Sequence, residues 1–166
     1  MKNKILALAA LTGLALGATA SNAQELTVTA NAGFETEYVF RGVELADDSY
    51  QASIDLAYGD YYASIWTNQP TADNEANEVD YTAGYLFSIN EDITADIGAI
   101  VYDYPDTPGN NETIEAFIGF TYDAAKFATP SIYTYYDFDL ESITSKPNLM
   151  PEFTSILWSK QFVTYN

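Results

Sequence analysis

Between Leu26 and Glu141 the sequence keeps returning to one pattern: apolar residues on one parity, polar or charged residues on the other. A period of two belongs to a β-strand, because successive side chains point to opposite faces. The first instance, LTVTANAGFETEYVFRG, places Leu26, Val28, Ala30, Ala32, Phe34, Tyr38 and Phe40 on one face, broken only by Thr36. The other face carries Thr27, Thr29, Asn31, Glu35, Glu37 and Arg41. Read as one strand from Leu26 to Gly42, it is far longer than the usual five or six residues of a soluble protein's strand, about 17–20 Å. Crossing a membrane is one condition that rewards such length.

Six more segments repeat the alternation. Tyr50, Ala52, Ile54, Leu56 and Tyr58 oppose Gln51, Ser53 and Asp55. Gly59-Asp60 is a two-residue hairpin turn by composition, with Gly supplying positive φ, and its register pairs Tyr58 with Tyr61. Next come Ala63 and Ile65 against Tyr62, Ser64 and Trp66. Val79, Tyr81, Ala83, Tyr85 and Phe87 oppose Glu78, Asp80, Thr82 and Gly84, and Ile93, Ala95, Ile97, Ala99 and Val101 oppose Thr94, Asp96, Gly98, Tyr102 and Tyr104. Ile114, Ala116, Ile118, Phe120 and Tyr122 oppose Glu115, Phe117, Gly119 and Thr121. The last pattern sets Ile132, Thr134, Tyr136, Phe138 and Leu140 against Tyr133, Tyr135, Asp137, Asp139 and Glu141. Long polar loops and tight turns alternate between the strands, which places all the short connections at one end and all the long ones at the other. That is the plan of an outer-membrane barrel. The expected fold is therefore all-β: an antiparallel up-and-down transmembrane β-barrel with seven readable strands and no helix after the N-terminus.

Distribution of aromatics points the same way. The chain holds 14 Tyr, nine Phe and two Trp. On the apolar faces, Tyr58, Tyr61, Tyr85, Phe87, Phe120 and Tyr122 lie near the turns, Tyr38, Phe40, Tyr50, Tyr81 and Phe138 near the loops, and the middles are mostly Ala, Ile and Leu. Two aromatic girdles around an aliphatic band suit a membrane, where a Tyr ring sits in lipid and its hydroxyl among headgroups.

The N-terminus names the compartment. Lys2 and Lys4 precede the apolar run ILALAALTGLAL, and Ser21-Asn22-Ala23 offers small residues where a signal peptidase reads. Residues 1–23 are expected to be a secretory signal cleaved after Ala23, residues 24–141 the barrel strands, and the destination the outer membrane of a Gram-negative cell. Acidic residues outnumber basic ones 24 to 6, for a net charge of −18. Such a balance excludes nucleic acid, whose phosphates require Lys and Arg. The chain has neither Cys nor His, so disulfides, thiolate chemistry and Ser-His-Asp sites are excluded. Catalysis is not expected, although Glu35 with Glu37, or Asp137 with Asp139, share a face as glycosidase carboxylates would. No cofactor and no metal site is expected; the loop acids Asp47, Asp48, Asp73, Glu75, Asp106 and Glu112 lack the spacing of a calcium loop.

Within a barrel, the inward residues would be Glu35, Glu37, Arg41, Asp55, Glu78, Asp80, Asp96, Glu115, Asp137 and Asp139. A ring of carboxylates in a low-dielectric tube concentrates cations and repels anions. Against an open pore stand Tyr62, Trp66, Tyr102, Tyr104, Phe117, Tyr133 and Tyr135 on the same register, since about eight strands enclose an interior just filled by side chains. Arg41, the lone base on the seven strands, is expected to pair with Glu35 and Glu37 in the mouth.

At EYVFRGVELADDSYQASIDLAY, Glu37 to Tyr58, the chain resembles the TorF-type porin family, with Tyr38, Val39, Phe40, Arg41 and Gly42 matching the opening YVFRG. YYASIWTN, EVDYTAGY and DIGAIVYDYP extend the likeness to about Glu141. The resemblance implies an outer-membrane barrel with a transport role: passive movement of small solutes, cation-preferring, with lipid and lipopolysaccharide as partners. Two alternatives stay open, a non-conducting structural or surface-interaction barrel and a secreted glycan-binding β-sandwich. Residues 142–166 depart from the pattern, with two prolines and no sustained alternation. They read either as a variant last strand or as a divergent tail that cuts the barrel short at seven strands, and the second reading is preferred because bacterial barrels have even strand numbers.

Overall fold

The computed structural model describes residues 25–109, 111–123 and 128–151; the expected signal peptide lies outside them, as does the end of the tail. Ten strands and no helix occur among the described residues. Eight of them form one antiparallel sheet in the order β1 (Leu26–Glu35), β4 (Ser49–Tyr58), β5 (Tyr61–Pro70), β6 (Glu78–Ser88), β7 (Ile93–Asp103), β8 (Glu112–Tyr122), β9 (Ala128–Asp137) and β10 (Ser142–Pro151). The short strands β2 (Tyr38–Phe40) and β3 (Val43–Ala46) form a separate hairpin. Every neighbouring pair in the large sheet is antiparallel, and β1 and β10 are its two ends. No pairing between them closes the sheet among the described residues.

Registers follow the alternation. Gly59, with φ of 60°, turns β4 into β5 so that Tyr58 faces Tyr61. Ile54 then faces Ile65, and Ile97 faces Ile118, on one side of the sheet. Three differences from the sequence reading have physical causes. The long first strand stops at Glu35, where Thr36 breaks the parity, and the chain leaves the sheet to build the β2–β3 hairpin. The strand read as ending at Glu141 stops at Asp137, because Asp137 Oδ1 accepts the backbone N–H groups of Asp139 and Leu140, both at 2.8 Å, and bends the chain into a turn. Finally, Ser142–Pro151 is an eighth strand of the sheet, paired along its whole length with β9. Its prolines, Pro147 and Pro151, sit on a strand with only one paired neighbour, where a missing N–H is tolerated.

The apolar face of this sheet is the exposed one. Ile54, Ile65, Ile97, Ile118 and Ile132 are 42–53% exposed, and Tyr50, Tyr58, Tyr61, Tyr81, Tyr122 and Phe138 are exposed with them. The opposite, inner face is buried: Ile100, Tyr102, Phe117, Tyr133 and Tyr135 form the core, with Asp55, Glu78, Asp96, Glu115 and Asp137 buried among them. Among the described residues neither a helix nor a second large sheet covers that face, so its burial comes from curvature and from the β2–β3 hairpin laid over one end. Asp96 on β7 shows the curl directly, accepting hydroxyls from Tyr62 on β5 at 2.8 Å and from Tyr133 on β9 at 3.1 Å, strands two places away on either side.

Glycines make room for these rings. Gly84 lies opposite Tyr62, Gly98 opposite Phe117 and Gly119 opposite Tyr133. A Cβ on any of the three would run into the facing ring. Rings lying across neighbouring glycines fill the interior of a curled sheet that larger side chains would prevent from closing in.

Candidate functional site

The YVFRG segment forms the tip of the β2–β3 hairpin. Arg41 and Gly42 both have positive φ, 49° and 84°, as a two-residue type I′ connection requires. Gly adopts this readily, while Arg does so at a cost of about 1–3 kcal/mol. Tyr38, Phe40 and Arg41 all point from the hairpin onto the inner face. Tyr38 is 5% exposed, with its ring 5.6 Å from that of Trp66 on β5, and Phe40 packs edge-on to Tyr102 on β7 at 5.7 Å. These two residues, expected in the loop-end girdle, are therefore inside; Phe34, against Tyr50 at 5.2 Å, holds the outer position. The hairpin closes over the end of the sheet that bears the long loops. Its base is tied down by the Asp47 N–H on the Glu75 carboxylate and by Thr71 N–H on the Asp48 carbonyl.

Arg41 is seated by three strands. Its Nη1 and Nη2 donate to Glu115 Oε1 and Oε2 on β8 at 2.8 and 2.5 Å, a two-pronged ion pair whose side chains are 14% and 6% exposed. Tyr102 on β7 donates its hydroxyl to Glu115 Oε2 at 2.9 Å. The guanidinium carbon stands 4.2 Å from the ring centre of Tyr135 on β9 and 4.6 Å from that of Phe40. Burial is the largest single influence and pulls the Arg41 pKa down, but the hydrogen bonds to Glu115 together with the electrostatic influence of Tyr102, Glu115 and Tyr135 outweigh it and raise the value, so the charge is fixed. The expected partners Glu35 and Glu37 are not used: Glu37 is exposed and Glu35 half-buried. Parity alone placed Arg41 beside them, and the break after β1 carried it across the sheet.

Beside this ion pair lies a cavity of about 230 Å³ lined by Phe40, Arg41, Tyr102, Tyr104, Glu115, Asp137 and residues of β8 and β10. Glu78 accepts the Tyr104 hydroxyl at 3.0 Å and faces Tyr38. Burial, and then the Glu78 charge, push both phenols well above the ordinary tyrosine range. Asp80 next to Glu78 has one buried oxygen, Oδ1, with no hydrogen-bond partner among the described residues. Deeper, Asp55 is satisfied without a cation: Asn31 and Ser53 donate to Oδ2 at 2.9 and 2.8 Å and Ser64 to Oδ1 at 2.6 Å. Asp139 is exposed in the β9–β10 turn, bonded to the Ile114 N–H, and does not line the interior.

Thus the inner face brings together Arg41, Asp55, Glu78, Asp80, Asp96, Glu115 and Asp137, and leaves out Glu37 and Asp139. Sequence reasoning missed the neutral partners Asn31, Ser53 and Ser64, whose parity was visible, and Lys146, which is half-buried opposite Tyr133 on a strand that two prolines disguised. Among the described residues no group of His, Cys, Asp or Glu is arranged to hold a metal ion, and no helix is long and apolar enough to cross a membrane.

No curated protein and no solved structure matches the chain. A family profile described as a bacterial protein of unknown function, Gcw_chp, matches residues 19–144. No porin family is matched, which overturns the assignment to the TorF-type porins made from the YVFRG stretch: that stretch is the tip of a hairpin, and the later likenesses were strand alternation that any sheet with one apolar and one polar face shares. The matched range spans the strands from β1 to the start of β10 together with the whole Arg41 site, and the chain belongs to the Gcw_chp family of bacterial proteins of unknown function.

Proposed function

We propose that the chain is an outer-membrane β-barrel protein, exported by its N-terminal signal, in which the edges of β1 and β10 meet to close eight strands around a filled interior. One observation carries the reading: the sheet is inside-out. Glu78, Asp96, Glu115 and Asp137 are 2–6% exposed on the inner face, while the aliphatic and aromatic residues of the other face are open. In water an exposed apolar face of this extent is costly. In lipid it is the favoured arrangement, provided every backbone group is paired in a closed sheet. Tyr61 against Tyr85 at 4.7 Å and Tyr136 against Phe138 at 5.0 Å support rings at opposite ends of the strands, where headgroups would lie. Absence of a second large sheet on the exposed face among the described residues weighs against a secreted sandwich.

The interior favours the non-conducting form of this proposal, a structural or surface-interaction barrel whose partners are outer-membrane lipid and lipopolysaccharide. Tyr62, Phe117, Tyr133 and Tyr135 cross the middle, and the β2–β3 hairpin covers the loop end. Passive transport of small solutes is the second reading, favoured by the inward carboxylates, and it carries cation preference with it. Outer-membrane fractionation with heat-modifiable gel migration tests the barrel: a folded barrel migrates differently before boiling, and a soluble, unshifted chain would remove the proposal. Planar-bilayer recording of heat-modifiable protein then decides between the two forms, silence supporting the first and cation-selective steps the second.

A further inference from the structure

Arg41 is held as a bound ligand would be held. Every group of its cage except Phe40 comes from other strands: Glu115 from β8, Tyr102 from β7 and Tyr135 from β9. The two parallel N–H···O bonds to Glu115 fit a planar fork, and the Tyr135 ring fits its flat face, so the cage has the shape of a guanidinium. An alkylammonium group would meet Glu115 as a point charge and reach Tyr135 by a cation–π contact, without the fork and the flat stacking of a guanidinium.

Three further features set this apart from an ordinary structural ion pair. The residue that fills the cage does so from a hairpin tip at φ of 49°, a conformation that L side chains rarely adopt, and that hairpin belongs to no other sheet. A cavity of about 230 Å³ adjoins the guanidinium, larger than the head group needs though smaller than drug-sized ligand pockets of about 300–1,000 Å³, so it has room for a short carbon chain. Its walls are unbalanced in charge. Glu115 and Asp137 line it, and Glu78 and Asp80 stand behind Tyr104, against Arg41 in the wall and Lys146 on β10 close enough to feel the Arg41 charge. Asp80 Oδ1 is also buried there without a hydrogen-bond partner among the described residues.

We propose that this cage is a binding site for a guanidinium-bearing solute, with Arg41 as the built-in occupant that the solute displaces from Glu115, Tyr102 and Tyr135 while the β2–β3 hairpin lifts. The solute's carbon chain takes the cavity beside Tyr104 and Asp137. Tyr38 leaves Trp66 as the hairpin rises, which makes Trp66 the reporter. The inference stands on the cage and the cavity and does not depend on whether the sheet lies in a membrane.

The test uses the full exported chain, folded in detergent micelles, with Trp158→Phe so that Trp66 is the sole indole. Arginine methyl ester is titrated into this protein while Trp66 fluorescence is read, with methylammonium and sodium chloride at matched concentration as controls. The expected result is a saturable change with the ester alone; in the Arg41→Ala background, where no built-in guanidinium competes, Glu115→Gln should weaken methylguanidinium binding tenfold or more, since hydrogen bonds to a charged group are at stake. Arg41→Ala, its cage already vacated, is expected to bind methylguanidinium more tightly than the parent does. Tyr135→Leu in the same Arg41→Ala background removes the stacking face, should weaken methylguanidinium binding, and serves if Glu115→Gln does not fold. No saturable change in the parent, with methylguanidinium still taken up by Arg41→Ala, would make Arg41 a permanent latch and overturn the proposal. Failure of Arg41→Ala to bind it would overturn it too. Heat-modifiable migration of the same samples reports on the barrel separately.

Discussion

Arg41 and Glu115 are 74 positions apart in the chain, yet Nη1 of one lies 2.8 Å from Oε1 of the other. Their strands are not neighbours: Arg41 follows β1, and five steps of the sheet separate β1 from β8. Laid flat, the sheet would set β1 and β8 about 24 Å apart at the usual spacing of about 4.8 Å. The pair therefore ties the hairpin to a strand five places away, across the face toward which the sheet curls.

Removing half of this pair should cost more than an exposed ion pair would. Arg41→Ala leaves the Glu115 carboxylate buried with the Tyr102 hydroxyl as its remaining donor, and breaking a buried pair in this way costs about 3–5 kcal/mol. Arg41→Lys keeps the charge, loses the fork and the stack on Tyr135, and should fall between the two. Denaturant unfolding in micelles checks the order: parent, then Lys, then Ala. Equal stabilities would mean that the pair is effectively solvated.

The inward glycines make a sharper packing prediction. At Gly119 an added methyl group meets the Tyr133 ring, and that ring can move aside only by releasing its hydroxyl from Asp96. Gly119→Ala should destabilise by about 1–3 kcal/mol, and Gly84→Ala similarly through Tyr62 and the same Asp96. Gly33 on β1 has nothing within 4 Å of an added Cβ, so Gly33→Ala should be close to neutral. Midpoints of urea unfolding for the three variants decide whether the ring-on-glycine contacts are as tight as they look.

Much of this architecture is legible in the sequence, because a strict period of two leaves only the choice of face. Gly59-Asp60 fixes the β4–β5 register, and that register carries Ile54 to Ile65. What parity cannot convey is where a strand stops. Thr36 was a one-residue flaw in an otherwise continuous pattern, and the chain used it to leave the sheet, taking Tyr38, Phe40 and Arg41 from an expected outer face and mouth to an inner lid. Asp137 ended β9 through its own side chain, so the alternation continuing through Phe138, Asp139 and Leu140 was coincidence. Ser142–Pro151 hid for the opposite reason, since an edge strand tolerates prolines that a central strand would not. Which base meets which acid was not legible at all, because Arg41 and Glu115 meet only once the sheet has curled.

Alkaline pH should loosen the lid. Tyr38 and Tyr104 both lie against Glu78, with burial first and the carboxylate charge second holding their pKa values above the ordinary range. Each phenol keeps its proton in the folded state at a pH where the unfolded chain has lost it, at about 10. Their contribution is therefore fully present below about pH 10 and is lost as pH rises toward the folded-state values. Phenolate absorbance during an alkaline titration should show a class of tyrosines ionising late, together with a change in Trp66 emission as Tyr38 departs. Tyr104→Phe removes one of the two groups and should shallow the loss of stability above about pH 10, whereas uniform titration of all tyrosines would show that Glu78 is open to water.

The exposed isoleucines give the last prediction, and it separates membrane from water. Ile97 and Ile118 face each other on the outer side, 43% and 42% exposed, midway along β7 and β8. If that face is in lipid, Ile97→Arg places a charge near the bilayer midplane and should cost about 2–4 kcal/mol, with loss of outer-membrane assembly and of heat-modifiable migration. The same substitution at Leu140, in the β9–β10 turn and 74% exposed, lies beyond the strand ends and should leave both intact. In a protein whose outer face meets water, the order reverses in consequence: Ile97→Arg would remove an exposed apolar group, raise solubility and leave folding within about 0.5 kcal/mol of the parent. Fractionation of the two variants beside the parent distinguishes these outcomes, because only a lipid-facing sheet makes the position at mid-strand so much more sensitive than the position at the turn.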